Sequence, residues 1–290
     1  MNKKRNPWFS GIANFFCIGM GQLYNGEPRK AFIFLMLYFL IPTLLKWTSI
    51  PNYFAGYIFS YFIIYSFIIY VIRDAIIVSK KLVTYQLKSI NRWYYYFSYA
   101  LMIMVLGGLF PLTKLIGVQS FKIASESMEP NLQTTDFVLA DLTTSIDDIQ
   151  YGDIIVYKDD SNENDESLFI CRVVALPRDK VMLNDNFLVI NNQELNHKLI
   201  DTSSEIYHYR EELSNGINID ILLDQNVPKG HESANTYEFS IAKDAVFVIG
   251  DNRNNALDSR YLGEVNYERI VGKLTAISFS SNFSRIGNKL

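Results

Sequence analysis

Apolar and polar positions divide the chain into two halves with different periods. Residues 31–45 (AFIFLMLYFLIPTLL) form an unbroken apolar run that stops at Lys46, and residues 53–72 and 93–112 carry no charged side chain. A helix needs about 20 apolar residues to cross the hydrocarbon core of a bilayer, so 53–72 and 93–112 are predicted spans. The first run is shorter, but 29–47 gives it the length, with Arg29 and Lys30 able to snorkel towards water. Pro42 inside it predicts a kink. Residues 7–24 (PWFSGIANFFCIGMGQLY) are apolar but short and glycine-containing, with Lys3, Lys4 and Arg5 before them and Arg29 and Lys30 after. Basic flanks on both sides predict an interfacial or re-entrant segment. No small-residue cleavage site precedes the next span, so this is not read as a cleavable signal peptide.

Beyond Lys114 the pattern shortens to runs rich in Val, Ile, Phe and Tyr, separated by Gly, Asp, Asn and Pro. Predicted strands are 136–142, 152–158, 168–176, 179–184, 187–191, 237–241, 245–249 and 270–279, with a turn at Asp185–Asn186. Residues 192–236 are polar and read as an insertion of loops with at most a weak strand. The predicted organisation is a membrane anchor over 1–114 and a mainly β domain over 115–290.

Charge follows the same division. Residues 1–114 hold 12 Lys and Arg against two acids, Glu27 and Asp74, and the remainder holds 15 basic and 28 acidic residues. The acidic half argues against nucleic-acid binding. Loop 73–92 carries Arg73, Lys80, Lys81, Lys88 and Arg92, whereas 46–52 carries only Lys46. The excess of Lys and Arg places 73–92 in the cytoplasm, so the third span runs outward and the β domain is extracytoplasmic. Cys17 and Cys171 fall in different halves, which argues against a disulfide. His197, His208 and His231 lack metal-ligand spacing, and no metal or other cofactor is expected.

Three strings carry candidate chemistry. The first is Ser125-Glu126-Ser127-Met128-Glu129-Pro130-Asn131-Leu132, where Pro130 stiffens a turn and Met128 offers an apolar contact, expected to face lipid. The second is Gly152-Asp153-Ile154-Ile155-Val156, followed by Cys171-Arg172-Val173-Val174-Ala175-Leu176-Pro177-Arg178-Asp179. The third runs Gly250-Asp251-Asn252-Arg253, then Asp258-Ser259-Arg260. Its two Asp/Arg pairs read as a turn locked by ion pairs, with Arg172 a candidate partner.

In this order behind a membrane span, the strings resemble the type I (leader) signal peptidases, whose pattern is roughly SxSMxPTL, GDIVV, KRVVGLPGD and GDNRDNSxDSRxxG. The resemblance covers 120–190 and 244–275. It implies a signal-peptidase-like β fold on an α-helical multi-span anchor in the bacterial inner (cytoplasmic) membrane. It also implies a metal-free serine endopeptidase that removes signal peptides from exported preproteins at the membrane's outer face. By position Ser127 is the nucleophile, and Ser125 with the Ser127 backbone N–H supplies the oxyanion donors. Arg172, Asp251, Arg253, Asp258 and Arg260 form the supporting network. The string GMGQLYNG resembles the opening of some multi-span bacterial membrane proteins.

The pattern breaks where the proton must move. The family's general-base lysine falls at Cys171, the serine that orients it falls at Ala256, and the glycines of VGLPGD fall at Ala175 and Arg178. A serine hydroxyl is a poor nucleophile without an adjacent base. A cysteine sulfur ends three bonds short of a lysine nitrogen, about 3–4 Å, more than the reach of a general base. Lys122, Lys158, Lys180 and Lys273 are the candidate substitutes. Two readings follow: an active peptidase, or a catalytically inactive homologue that binds signal peptides or partners a competent second copy.

Overall fold

The computed structural model describes residues 2–159, 167–184, 187–203, 205–224 and 238–290. They form two compact units, Met1–Val118 and Gln119–Leu290. Asp185–Asn186, Tyr237 and His231 lie outside the described residues.

The first unit is helical: α1 (Pro7–Phe16), α2 (Met20–Tyr24), α3 (Pro28–Trp47), α4 (Phe54–Lys81), α5 (Trp93–Leu109) and α6 (Leu112–Ile116). A two-residue pairing joins β1 (Asn2–Lys3) to β2 (Tyr85–Gln86). Helices α3 and α4 are long and apolar enough to cross a membrane, and α5 is a shorter apolar helix. Helix α3 continues through Pro42. Helix α4 runs on to Lys81, so the basic stretch read as a loop from residue 73 begins as helix. Segment 7–24 is two helices parted by Gly19 at φ 82°.

Polar side chains hold α1 and α2 on α4. Ser10 Oγ donates to the Ala75 carbonyl (3.1 Å), Gln22 Nε2 to that of Val71 (2.9 Å), and Asn25 Nδ2 to that of Ala75 (2.8 Å). A Cβ on Gly21 would stand 2.2 Å from the Ser10 carbonyl oxygen, so that glycine permits the close approach. The GMGQLYNG string is thus explained by packing.

The second unit is antiparallel β. Its largest sheet contains β3 (Val118–Lys122), β4 (Phe137–Asp141), β5 (Ile154–Lys158) and β6 (Leu168–Ala175), with β14 (Ala245–Ile249), β15 (Val265–Asn266) and β16 (Ile270–Phe279), in the order β15-β14-β6-β5-β16-β4-β3. Strand β14 is buried along its whole length, which its uninterrupted apolar run AVFVI anticipates. A second sheet is built from β7 (Lys180–Asn184), β8 (Phe187–Ile190), β9 (Gln193–Glu194) and β13 (Phe239–Ser240). The single-turn helix α7 (Ser259–Leu262) follows the third motif.

The insertion departs from its reading as loops. It carries a three-stranded sheet of β10 (His197–Ser203), β11 (Ile206–Glu212) and β12 (Asn218–Asp224). Its alternation is plain in β12, where Ile219, Ile221 and Leu223 are buried between less buried neighbours. Ile219 and Ile221 join the core formed by Leu188, Ile190 and Phe247. Strand β10 is exposed at every position whose burial is described and β11 buries only Glu211, so neither shows an apolar face alternating with a polar one.

Candidate active site

The serine turn follows β3. Its chain continues the pairing with the segment before β4: Ile123 N–H donates to the Asp136 carbonyl and Thr135 N–H to that of Ile123. Met128 is 1% exposed, packed among Ile123, Leu132, Val138 and Leu274. It anchors the turn in the core, which corrects its reading as a lipid contact: the turn curls inward, through Leu132 N–H to the Met128 carbonyl at 2.8 Å. The Glu129–Pro130 bond is cis.

The third motif closes over this turn. Asn252 N–H donates to the Ser127 carbonyl (3.0 Å), and Asn252 Nδ2 to that of Glu126 (3.2 Å). A Cβ on Gly250 would stand 2.7 Å from the Ser127 carbonyl oxygen and 2.3 Å from Ala256 Cβ. Glycine at 250 therefore lets the two motifs meet, with Ala256 beside them.

Ion pairs fix the motif, in a pattern only partly foreseen. Arg172 grips Asp251 with two bonds, Nε to Oδ1 at 2.8 Å and Nη2 to Oδ2 at 2.6 Å. Asp258 takes Arg260 the same way, both at 2.8 Å, and accepts from Gly250 N–H. Arg253 pairs with Glu211 of β11, and both are fully buried. Asn131 Nδ2 bridges Asp251 Oδ2 and the Asp220 carbonyl. Glu211 and Asn131 went unnoticed in the sequence. Glu211 sits in a polar insertion without a motif, and a buried arginine's need for a carboxylate is the only signal that points to it.

A cleft of about 370 Å³ opens at the turn, lined by Lys122, Ser125, Ser127, Phe169, Cys171 and Leu257 among others. Ser125 Oγ and Ser127 Oγ are 2.9 Å apart in a hydroxyl–hydroxyl hydrogen bond. Among the described residues no amine, imidazole or carboxylate is bonded to the Ser127 hydroxyl, and its backbone N–H donates to no protein group. Cys171 is free and buried on β6, its sulfur 3.8 Å from Tyr157 Oη. Burial pushes its thiol far above the ordinary range, and the Asp258 carboxylate adds to the rise. A neutral thiol cannot act as a base at physiological pH.

Of the four lysines weighed as substitutes, Lys122 lines the cleft. Lys180 pairs with Glu238 (2.9 Å) and Lys273 with Asp153 (2.8 Å). Lys158 is exposed at the end of β5 and does not line the cleft. Arg178, at a family glycine position, holds φ 73°. No group of three or more metal-ligating side chains occurs among the described residues. His197 stacks on Phe187 at 3.7 Å between ring centroids, and His208 lies on β11.

A family model described as "Signal peptidase, peptidase S26" matches residues 93–279. A signal peptidase I of Pseudomonas fluorescens is 30% identical over 210 residues, covering 59% of this chain and 71% of the relative. One from Aquifex aeolicus is 30% identical over 201 residues, covering 56% and 76%. A solved signal peptidase I from Enterococcus faecalis V583 is 25% identical, covering 44% of this chain and 97% of that one, with a TM-score of 0.28.

Proposed function

Because the chain belongs to the signal peptidase family, peptidase S26, we propose that it engages signal peptides of exported preproteins through a cleft whose serine has lost its general base. In this reading the helical unit is a multi-pass anchor in the bacterial cytoplasmic membrane, and the β unit faces outward, as the basic residues of 73–92 favour. Ser127 is the residue a peptidase would use as nucleophile. Ser125 Oγ and the free Ser127 N–H would receive the charge that develops on the scissile carbonyl.

The observation that carries the reading is the set of groups around Ser127 Oγ. Attack on a carbonyl requires the hydroxyl proton to leave, and the hydroxyl's hydrogen-bond partner is another hydroxyl. The position that holds a lysine in the family holds a neutral, buried thiol. Binding needs only the cleft and the oxyanion donors, which remain. The protein therefore holds preproteins, or presents them to a competent second copy, without cleaving them above background.

The test uses the full chain in detergent with a preprotein substrate. The natural sequence is expected to cross-link the signal peptide yet cleave at background. The double variant Cys171→Lys, Ala256→Ser is expected to cleave about 10²–10⁴ times faster, the usual worth of general acid–base catalysis. Equal rates for the two would overturn the reading.

Lys122 on the cleft wall supports a second reading, slow cleavage with that amine as the base. It predicts measurable cleavage by the natural sequence that both Ser127→Ala and Lys122→Met abolish.

A further inference from the structure

The helical unit contains a guanidinium with no counter-charge. Arg5 is 6% exposed, clamped between two aromatic rings, with its guanidinium carbon 4.3 Å from the Tyr24 ring centre and 4.0 Å from that of Tyr85. Cation–π contact accounts for the sandwich. It does not satisfy the N–H donors, and both Nε and Nη2 are buried without a hydrogen-bond partner. A buried, ionised group normally has its donors answered, because leaving them unmet is costly.

Among the described residues no carboxylate of the unit is bonded to them. Glu27 and Asp74 are its only acids, and both are engaged by Lys30, Asp74 at 2.6 Å and Glu27 at 3.7 Å. Glu27 Oε2 accepts no hydrogen bond, yet it is not bonded to Arg5, and an acceptor from outside the unit would answer the guanidinium.

Arg5 lines a cavity of about 560 Å³ together with Phe9, Met20, Tyr24, Leu87, Asn91 and Tyr96. Tyr24 Oη accepts a bond from Asn6 N–H, and Tyr96 Oη accepts one from Asn91 Nδ2, which leaves each phenol its own proton to donate. Asn91 is fully committed: its amide nitrogen serves the Leu23 and Tyr24 carbonyls and Tyr96, and its oxygen accepts from Tyr85 Oη and Lys88 N–H. The cavity therefore offers a guanidinium and two phenolic donors and no carboxylate. Apart from the committed Asn91, its other walls, Phe9, Met20 and Leu87, are apolar. Phe9 and Leu87 are more than half exposed on the same unit, beside the exposed Trp8 and Ile12 of α1.

We propose that this cavity binds a phosphoryl oxyanion, with Arg5 as its charged ligand and Tyr24 and Tyr96 as neutral donors. Guanidinium matches phosphoryl oxygens in charge and in forked geometry. Basic pockets between membrane helices suit anionic headgroups, and the apolar walls fit the glycerol and upper acyl region of a phospholipid. The alternative source of the same chemistry is free phosphate. The site is independent of the serine cleft, and its failure would leave the signal-peptide reading untouched.

The experiment compares delipidated full-length protein with Arg5→Met and Tyr24→Phe variants, by native mass spectrometry and thermal shift. The probes are phosphatidylglycerol, phosphatidylcholine and inorganic phosphate, each added separately. Wild type is expected to retain phosphatidylglycerol, with affinity reduced about tenfold or more by Arg5→Met and about three- to tenfold by Tyr24→Phe. Phosphatidylcholine retention is expected to be weak and equal in all three. Tyr24→Phe keeps the aromatic clamp, so it remains informative if Arg5→Met does not fold. Stabilisation by inorganic phosphate alone, lost in the variants, identifies the free anion as the source. Equal response of wild type and both variants to every probe would overturn the proposal.

Discussion

The pair between Glu211 and Arg253 gives the sharpest test of how the insertion serves the candidate site. Glu211 on β11 is fully buried; its Oε2 accepts from Arg253 Nη2 and its Oε1 from Leu188 N–H at 3.3 Å. Glu211→Ala therefore takes a carboxylate away from a buried guanidinium and a buried amide together. Removing one partner of a buried pair costs about 3–5 kcal/mol. For a unit of this size each kcal/mol lowers the melting temperature by about 2–4 °C, so the expected fall is about 6–20 °C. The control is Arg210→Ala on the same strand. Its pair with Asp220 has similar length, 2.8 Å, but the arginine side chain is 48% exposed, and such pairs are worth about 0–1 kcal/mol. All three tryptophans, Trp8, Trp47 and Trp93, belong to the helical unit, so the assay should follow the far-UV β band or hydrogen exchange of the β strands. If Glu211→Ala melts within a few degrees of Arg210→Ala, the insertion does not hold the third motif in the way described.

Two further outcomes follow from single residues. Arg178 occupies the left-handed region at φ 73°, so Arg178→Gly is expected to stabilise the β unit by about 1 kcal/mol, read as a rise of about 2–4 °C; a fall would show that the side chain contributes more than the backbone strain costs. Burial alone would raise the Asp136 carboxyl, but bonds from Gln133 N–H, Ser280 and Arg285 outweigh it and hold it below its ordinary value near 3.8. Its contribution is present above that value and is lost as pH falls through the lowered one, so Asp136→Asn should flatten the acid limb of a stability–pH profile and lower the plateau near neutrality.

Much of this architecture was legible because its signals are local. The strands at 154–158, 245–249 and 270–279 follow from short apolar runs between turn residues, and α3 and α4 from apolar length. The serine turn and third motif were legible as strings, and so was Arg172 as a candidate partner for the third motif, though not its pairing with Asp251 in particular. What escaped reading depends on distant partners. Met128 follows a half-buried serine in a polar string, and only the inward curl of its turn sends it to the core. Glu211 looks like any solvated acid of a polar insertion until Arg253 is brought against it. Lys122 could be separated from the other three lysines only by knowing which strand borders the cleft. Helix α4 outran its apolar stretch because helical hydrogen bonding does not stop where hydrophobicity does.

The bond between Asn252 Nδ2 and the Glu126 carbonyl joins residues 126 positions apart. Loop closure over such a length is among the slow, late contacts of a folding chain. During synthesis the serine turn emerges first and waits, unshaped, until Gly250 and its neighbours have followed. Truncated chains ending before that glycine would carry Ser127 without its cradle. A lineage could thus silence such a protein by shortening its tail while every residue of the first motif stayed intact.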